Sequence, residues 1–250
     1  MPELDFNAPR LFVGAPLNPG ESVALERNQS NYLGNVLRLA AGEMVLVFNG
    51  RDGEWQARIA GRKRPDSLEI LTRTRSQDRL PDIAYVFAPL KHARLDYMVQ
   101  KAVEMGAAQL QPVLTRFTQV SRVNGERMRA NVIEAAEQCG ILSLAAVAEP
   151  VPLDRFVSQR QPQRLLVFCD EAAEISSPLQ ALQHGLSAAD GIDILIGPEG
   201  GFAGEERALL LRQARTLRLC LGPRILRADT AGVAALALVQ AALGDWAGAG

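Results

Sequence analysis

The amino-acid sequence predicts an α/β protein in which a small, mainly β domain precedes a larger domain built on a mainly parallel sheet. The pattern changes at residues 76–82, a polar stretch that ends in proline and separates closely spaced strands from alternating strands and helices. Further along, two apolar strands, at residues 192–196 and from residue 217, each run into a loop that contains glycine and proline. These observations place the domains at residues 1–76 and 77–250.

The composition is that of an ordinary globular protein, with 250 residues, 48% hydrophobic and 22% charged. No apolar run is long enough to span a membrane, and residues 1–5 are acidic, which predicts no signal peptide. The scattered cysteines 139, 169 and 220 indicate reduced thiols in a cytoplasmic protein. Because the only histidines, at 92 and 184, lack partners at metal or triad spacing, no metal site or histidine-based hydrolase is expected.

The first domain is predicted to be all-β. Short strands are expected at residues 10–13, 44–48, 55–60 and 68–72. The Asn49-Gly50 pair predicts a hairpin between the second and third of these strands. One short helix carrying Arg38 is expected over residues 31–39. Several short strands separated by turns predict a small barrel.

The second domain is predicted to alternate strands with helices, which indicates parallel pairing. Apolar residues at helical spacing predict three of its helices, and Glu205 and Glu206 open a fourth. Taken alone, this pattern predicts an ordinary doubly wound sheet with helices on both faces. Strands are expected at 83–88, 110–114, 165–168, 192–196 and from 217, and helices at 95–105, 128–139, 205–215 and 231–243.

The loops at residues 197–201 and 221–231 are the first candidates for a site. Gly200 and Gly201 have no β carbon, so another molecule can approach their main chain closely. In the second loop, Asp229 or Thr230 can simply cap a helix. Neither loop is a GxGxxG or Walker motif, which disfavours dinucleotide binding and nucleotide hydrolysis. Basic residues outnumber acidic ones at residues 51–79 and 91–130. This excess of positive charge is consistent with binding to a polyanion, and also with an ordinary solvent-exposed surface.

Together, the two loops resemble those of a known family. The segments Ile196-Gly-Pro-Glu-Gly-Gly-Phe202 and Leu221-Gly-Pro-Arg-Ile-Leu-Arg227 are similar to the paired loops of the RsmE family of 16S rRNA uracil-N3 methyltransferases, in the SPOUT superfamily. The resemblance extends over nearly the whole chain. Weaker matches lie at residues 9–12, 36–38 and 48–50, and in the K-A-V-E-M-G and A-A-E-Q-C-G segments at 101–106 and 135–140.

The resemblance implies a fold and a cofactor. Residues 77–250 would form a SPOUT domain, a mainly parallel sheet with a C-terminal trefoil knot, and residues 1–76 a PUA-like, RNA-binding β-barrel. S-adenosyl-L-methionine would bind in the knot, because glycine-rich loops beside apolar residues suit an uncharged adenine. A homodimer is implied, with the active site near its interface. The implied cofactor-binding residues are Phe168, Ile196, Gly197, Gly201, Leu221, Gly222, Ile225, Leu226 and Thr230.

The implied reaction methylates N3 of a uridine in 16S rRNA within the small ribosomal subunit. Uracil N3 carries a proton, so the site must remove it or stabilise the resulting anion. We expect Arg227 to hold the uracil oxygens. Glu199 or Asp229 would serve as the base, and a structural role for either stays open. RNA contacts are expected from four arginines, each equally explained as surface charge, namely Arg10, Arg38, Arg116 and Arg122.

The sequence also departs from the family pattern. Ile141 stands where an arginine is common, and Tyr32 and Asn35 stand where histidine and arginine are common. The usual L-R-T-E-T-A segment is L-R-A-D-T-A at residues 226–231, so its acid is one methylene shorter. These changes predict altered RNA contacts. Two other functions stay open: ribose 2′-O-methylation by another SPOUT enzyme, and a non-catalytic RNA-binding assembly factor.

Overall fold

The computed structural model describes residues 8–62, 64–120, 122–174, 177–184 and 190–247. The prediction about a signal peptide concerns residues 1–5, which lie outside these ranges. The chain divides into two compact units, one formed by Met1–Arg79 with Ile133–Leu144 and the other by Leu80–Val132 with Ala145–Gly250. In the described part of the chain, every helix is too short or too polar to cross a membrane.

The first unit contains a five-stranded mixed sheet. Its strand order is β1-β3-β4-β5-β2, in which β1 runs parallel to β3 and every other pairing is antiparallel. The predicted hairpin is present, with Val47 opposite Trp55, and the Asn49 side chain accepts the Asp52 N–H at its turn (2.9 Å). The strands are β1 (Arg10–Phe12), β2 (Ser22–Ala24), β3 (Met44–Phe48), β4 (Glu54–Ala60) and β5 (Ser67–Arg75). Only β2 was not expected from the sequence.

The predicted helix at residues 31–39 is displaced towards the N-terminus. An α-helix, α1 (Arg27–Asn31), continues into a π-helical turn at Tyr32–Val36. The helix begins earlier than its apolar pattern because the Gln29 side chain accepts the Glu26 N–H (2.8 Å). Arg38 therefore follows the helix instead of lying on it. Its φ of 58° is in the left-handed region, and its side chain is exposed.

Arg10 requires a correction, because the structure places it inside the first unit and not on its surface. Its side chain is 4% exposed, and its Nε lies 3.0 Å from Oε2 of Glu54. Arg75 donates to the same oxygen at 2.8 Å, and Thr74 donates to the other oxygen of Glu54 at 2.9 Å. A guanidinium buried in this network has no free surface for an RNA phosphate. Arg10 and the next residue, Leu11, are both buried, so β1 is covered on both of its faces.

The second unit is built on a parallel sheet. Six of its strands lie in the order β12-β10-β11-β6-β7-β8, β9 also pairs with β7, and every pairing is parallel. The predicted mainly parallel α/β fold is therefore confirmed. The strands are β6 (Ile83–Phe87), β7 (Gln109–Leu114), β8 (Ala146–Val147), β9 (Val151–Pro152), β10 (Leu165–Cys169), β11 (Ile192–Ile196) and β12 (Thr216–Leu219).

Helices cover both faces of this sheet. The bounds are α2 (His92–Glu104), α3 (Gly125–Cys139), α4 (Leu153–Gln159), α5 (Pro178–His184), α6 (Gly204–Leu211) and α7 (Ala228–Leu243). Along β6, Val86 belongs to the core that includes Leu153 of α4 and Leu210 of α6. The neighbouring Tyr85 points the other way, towards Gly232 of α7. The short helices α4 and α5 were not expected, and α3 begins in the second unit and ends in the first.

The strand register places the ends of three neighbouring strands at one edge. Phe168 of β10 pairs with Leu195 of β11, and Cys169 of β10 pairs with Leu219 of β12. All three strands run parallel, so the loops that follow them leave the sheet together. The carboxyl edge of a parallel sheet is where ligands commonly bind in open α/β folds.

Candidate active site

A cavity of about 280 Å³ lies where these three loops meet. Its lining comes from the end of each strand and the loop that follows it, namely residues 168–171 at β10, 196–202 at β11 and 219–226 at β12. Arg207 of α6 and two alanines at the start of α7, Ala228 and Ala231, complete the wall. The two loops singled out in the sequence thus enclose one pocket together with the loop after β10.

The loop after β11 requires glycine because aromatic rings pack against it. A β carbon on Gly197 would lie 2.6 Å from the ring of Phe202, and one on Gly200 would lie 3.1 Å from Cβ of Phe117. The Phe202 ring in turn packs edge-on against Phe168, with ring centroids 5.2 Å apart. These contacts fix the loop and leave its main chain as the surface of the pocket.

The loop after β12 has an open main chain. Gly222 has a φ of 109°, a left-handed conformation that favours glycine, and a β carbon there would meet nothing within 4 Å. The Cys220 thiol donates to the Gly222 carbonyl at 3.4 Å. Ile225 is 94% exposed although it is apolar. Main-chain groups and an apolar side chain of this loop are therefore available to a ligand.

Asp170 ties the end of β10 to its neighbours. Its buried carboxylate accepts hydrogen bonds from Arg207 (2.7 Å) and from Nε of Arg218 (3.0 Å). Burial, together with the charge of Asp170, raises the pKa of the adjacent Cys169 to about 12, so that thiol is neutral and a poor nucleophile. The next residue, Glu171, is exposed and lines the cavity. Among the lining residues of this loop, Glu171 is the one whose carboxylate can meet a cationic ligand group.

A guanidinium from α2 joins the two predicted candidate bases. Arg94 donates from Nη1 to Oε1 of Glu199 at 2.8 Å and from Nε to Oδ2 of Asp229 at 3.0 Å. The hydrogen bond from Arg94 lowers the pKa of Asp229. Sequence reasoning missed Arg94, because the residues it binds lie 105 and 135 positions later in the chain.

The structure brings together most of the residues predicted to bind the cofactor. Every predicted member except Thr230 lines the cavity. Thr230 is exposed, and its N–H donates to Oδ1 of Asp229 at 2.8 Å. The alternative that Asp229 or Thr230 caps α7 needs correction, since the helix N-cap residue is Arg227.

Of the three predicted catalytic residues, one lines the cavity and two are neighbours of a residue that lines it. Glu199 lines the cavity, whereas Arg227 and Asp229 flank Ala228, which lines it. Arg227 is exposed, and its carbonyl accepts the Ala231 N–H at 2.8 Å in the first turn of α7. Among the residues that the structure describes, no carboxylate pairs with the Arg227 guanidinium, so this cation is available to a substrate.

The remaining predicted RNA contacts are exposed. Arg38 belongs to the first unit, and Arg116 and Arg122 belong to the second. Arg116 is positioned near the pocket because its N–H donates to Glu206 of α6 at 2.8 Å, and because Phe117, next to it, packs on Gly200. Its main chain is therefore close to the glycine-rich loop that lines the cavity.

Comparisons with known proteins agree with this architecture. Residues 77–240 match the model of an RNA methyltransferase domain, and residues 25–70 match that of an RNA methyltransferase PUA domain. Ribosomal RNA small subunit methyltransferase E of Synechocystis is 32% identical over 229 residues, which cover 89% of this chain and 74% of the relative. The protein of the same name from Rickettsia conorii is 28% identical over 233 residues, 92% of this chain and 94% of the relative.

Solved structures of methyltransferases are also similar to this chain over most of its length. Ribosomal RNA small subunit methyltransferase E from Neisseria gonorrhoeae, bound to S-adenosyl methionine, has a TM-score of 0.85 and 27% identity, covering 96% of this chain and 100% of the other. A Legionella pneumophila structure in complex with the cofactor SAM has a TM-score of 0.82 and 29% identity, covering 96% of this chain and 99% of the other.

A parallel sheet that gathers glycine-rich loops around one pocket, preceded by a small β unit, defines an RNA methyltransferase with a PUA domain. The similarity is not confined to one unit, because it extends along most of each relative. The chain belongs to the ribosomal RNA small subunit methyltransferase E family, which confirms the resemblance seen in the sequence.

Proposed function

We propose that this chain transfers a methyl group from S-adenosyl-L-methionine to N3 of a uridine in 16S rRNA. The observation that carries the proposal is the single pocket enclosed by three loops at the carboxyl ends of adjacent parallel strands. It is supported by the name of the family and by the cofactor bound to the Neisseria gonorrhoeae relative.

The pocket residues fit this cofactor. Ile196, Leu221 and Leu226 supply apolar walls for an adenine, and Gly197 and Gly222 expose main-chain groups to it. The Glu171 carboxylate at the wall suits the positive charge of a sulfonium or an ammonium group. Gly201, Ile225 and the edge of Phe168 complete the proposed set. When bound, S-adenosylmethionine supplies an electrophilic methyl group.

Two residues of the chain are proposed to act on the uracil. Arg227 holds the uracil oxygens, where negative charge develops as N3 loses its proton, because its guanidinium is exposed beside the pocket wall. Glu199 accepts the N3 proton, because its carboxylate lines the cavity. Asp229 suits this role less well, since its lowered pKa makes it a weaker base and it does not line the cavity.

The two family models support the proposed domain roles, and the trefoil knot within them rests on the family resemblance alone. Residues 1–76 act as the RNA-binding PUA-like domain, and residues 77–250 act as the SPOUT methyltransferase domain with a C-terminal trefoil knot. Arg38, Arg116 and Arg122 are exposed and contact RNA phosphates. Arg10 is left out of this set because its guanidinium is buried against Glu54.

We also propose that the chain works as a homodimer on the assembled small subunit in the cytoplasm. The last helix, α7, supports a dimer because it is almost entirely apolar, and several of its side chains, such as Val233 and Leu238, are only partly buried. Sedimentation equilibrium tests this proposal. A monomer at micromolar concentration would contradict it.

The reaction is tested with undermethylated small subunits, naked 16S rRNA and methyl-labelled cofactor, followed by mapping of the modified atom. Label at N3 of one uridine supports the proposal. Label on a ribose 2′-oxygen would instead indicate the other SPOUT activity, and tight cofactor binding with no transfer to either RNA would indicate an assembly factor.

A further inference from the structure

Arg94 connects two walls of the pocket that are distant in sequence. Glu199 belongs to the glycine-rich loop after β11, and Asp229 belongs to the first turn of α7. The guanidinium binds both carboxylates at 2.8 and 3.0 Å through different nitrogens. The loop and the helix start are therefore held together by one side chain that comes from a third element, α2.

The ion pair of Arg94 is partly exposed, with 44% of the Glu199 side chain and 34% of the Arg94 side chain accessible to solvent. The third nitrogen of Arg94, Nη2, is buried and has no hydrogen-bond partner in the described part of the chain. Asp229 is also mostly shielded, with a side chain that is 16% exposed. Since an unpaired buried donor is unfavourable, the two carboxylate bonds are what hold Arg94 in this position.

A second ion pair on α2 can be compared with the one that Arg94 makes. Asp96, two residues after Arg94, pairs with Arg127 of α3, whose side chain is 60% exposed. Neither of these residues lines the cavity. The two ion pairs lie on one helix and contain the same residue types, but only the pair made by Arg94 joins parts of the pocket wall.

We propose that Arg94 is a positioning residue that aligns Glu199 with the start of α7, and hence with Arg227, across the pocket. Arg227 lies two residues before Asp229, so an anchor on Asp229 limits how far the α7 N-terminus can move. The same anchor orients the Glu199 carboxylate. The assignment rests on the proposed function for its catalytic consequence, but its effect on the pocket walls does not require RNA.

The chemistry of the guanidinium sets the choice of variants. Arginine presents nitrogens in a fixed fork and can bind two carboxylates at once, whereas the lysine ammonium is a compact charge on a flexible stem. Arg94→Lys should therefore keep the charge and one of the two contacts, and Arg94→Gln should lose both. Arg127→Gln removes an ion pair to the same helix and serves as the control.

The experiment measures three quantities for each variant: the dissociation constant for S-adenosylmethionine by calorimetry without RNA, kcat at saturating cofactor and small subunit, and the thermal midpoint. We expect Arg94→Gln to weaken cofactor binding about fivefold and to lower kcat about tenfold or more, with Arg94→Lys between it and the wild type. Arg127→Gln should stay within about twofold in both. The thermal midpoints of Arg94→Gln and Arg127→Gln should be similar.

A double-mutant cycle between Arg94 and Asp229 measures their coupling, a quantity that would be zero if Arg94 had only a general structural role. Because the two single variants lose the same Arg94–Asp229 contact, combining Arg94→Gln with Asp229→Asn should lower kcat and cofactor affinity by less than the product of the two separate losses. Additive losses, or equal losses in Arg127→Gln, would overturn the assignment. If wild-type protein binds cofactor but methylates no uridine N3, the proposed function fails, while the calorimetric comparison still tests Arg94.

Discussion

The Nε atom of Arg94 lies 3.0 Å from Oδ2 of Asp229, a residue 135 positions later in the chain. This contact changes the catalytic roles that we expect for the two acidic residues Glu199 and Asp229. Asp229 is occupied by a cation that lowers its pKa, whereas Glu199 shares that cation and also lines the pocket. The two carboxylates, which the sequence left as equal candidates for the base, therefore have different predicted roles.

Replacing Glu199 should affect turnover far more than replacing Asp229. Removing a general base commonly costs about 100-fold or more, so Glu199→Gln should lower kcat by that amount with cofactor binding largely retained. Asp229→Asn should lower kcat less than about tenfold, because it loses only part of a partly exposed ion pair. Single-turnover methyl transfer at saturating cofactor measures both. The reverse ranking would assign the proton to Asp229.

Arg227→Ala should abolish measurable transfer while leaving the cofactor site intact. The guanidinium is proposed to stabilise charge that exists only on the reacting uracil, and loss of such a donor costs about 100- to 1,000-fold in kcat. Cofactor affinity should change less than about twofold, since Arg227 does not line the cavity. Arg212→Ala, at an exposed residue that follows α6, is the control for loss of surface charge. Unchanged turnover in Arg227→Ala would exclude the proposed role.

Glu54→Gln should destabilise the first unit at neutral pH. Burial by itself raises the pKa of Glu54, but hydrogen bonds from Arg75, Thr74 and Arg10 leave the pKa lowered. Breaking a buried ion pair by removing one partner costs about 3–5 kcal/mol of unfolding free energy. Glu69→Gln, which removes an exposed pair with Arg58, should cost less than about 0.5 kcal/mol.

The lowered pKa of Glu54 also fixes the sign of a pH effect. Its contribution to stability is complete above the pKa of an unfolded glutamate, about 4.3, and is lost as the pH falls through the lower folded-state pKa. Urea denaturation at pH 7 and at progressively lower pH should therefore show a loss of stability in the wild type that is smaller in Glu54→Gln. Equal acid sensitivity in both would contradict this assignment.

Gly232→Ala should destabilise the second unit because the added β carbon would collide with the side chain of Tyr85. A β carbon at residue 232 would lie 2.2 Å from the hydroxyl of Tyr85, which is buried and has no hydrogen-bond partner among the described residues. We expect a loss of about 1–3 kcal/mol, measured by urea denaturation. Adding Tyr85→Phe removes the hydroxyl and should restore only part of this loss, because the ring carbon Cζ would still lie 2.9 Å from the β carbon. Gly204→Ala, a helical position where a β carbon meets nothing within 4 Å, should be nearly neutral.

The sequence predicted the parts of the fold that local patterns encode. Strands at 44–48 and 192–196, and helices that follow apolar spacing such as α3, were placed correctly. The pocket loops were found because glycine and proline follow two predicted strands, whereas the packing of Phe202 on Gly197 and of Phe117 on Gly200 is visible only in the structure. The trefoil knot stays a prediction that came only from the family resemblance, since hydrophobic periodicity contains no information on how the chain threads.

Two of the failures share a physical cause, which is pairing between distant residues. Arg10 looks like a surface cation in sequence, and only the fold brings Glu54 to it across 44 positions. Arg94 likewise left no local signal, since its carboxylates come from a later loop and from the first turn of α7. A separate, local failure concerns Arg38, which was predicted to lie on a helix over residues 31–39, whereas the π-helical turn ends before it.

The most direct test of the central claim incubates the protein with methyl-labelled S-adenosylmethionine and undermethylated small ribosomal subunits, then locates the label by mass spectrometry of the digested 16S rRNA. We predict one labelled uridine, methylated at N3, and no label when Arg227→Ala replaces the wild type. Label on any other atom, or equal labelling by Arg227→Ala, would contradict the account.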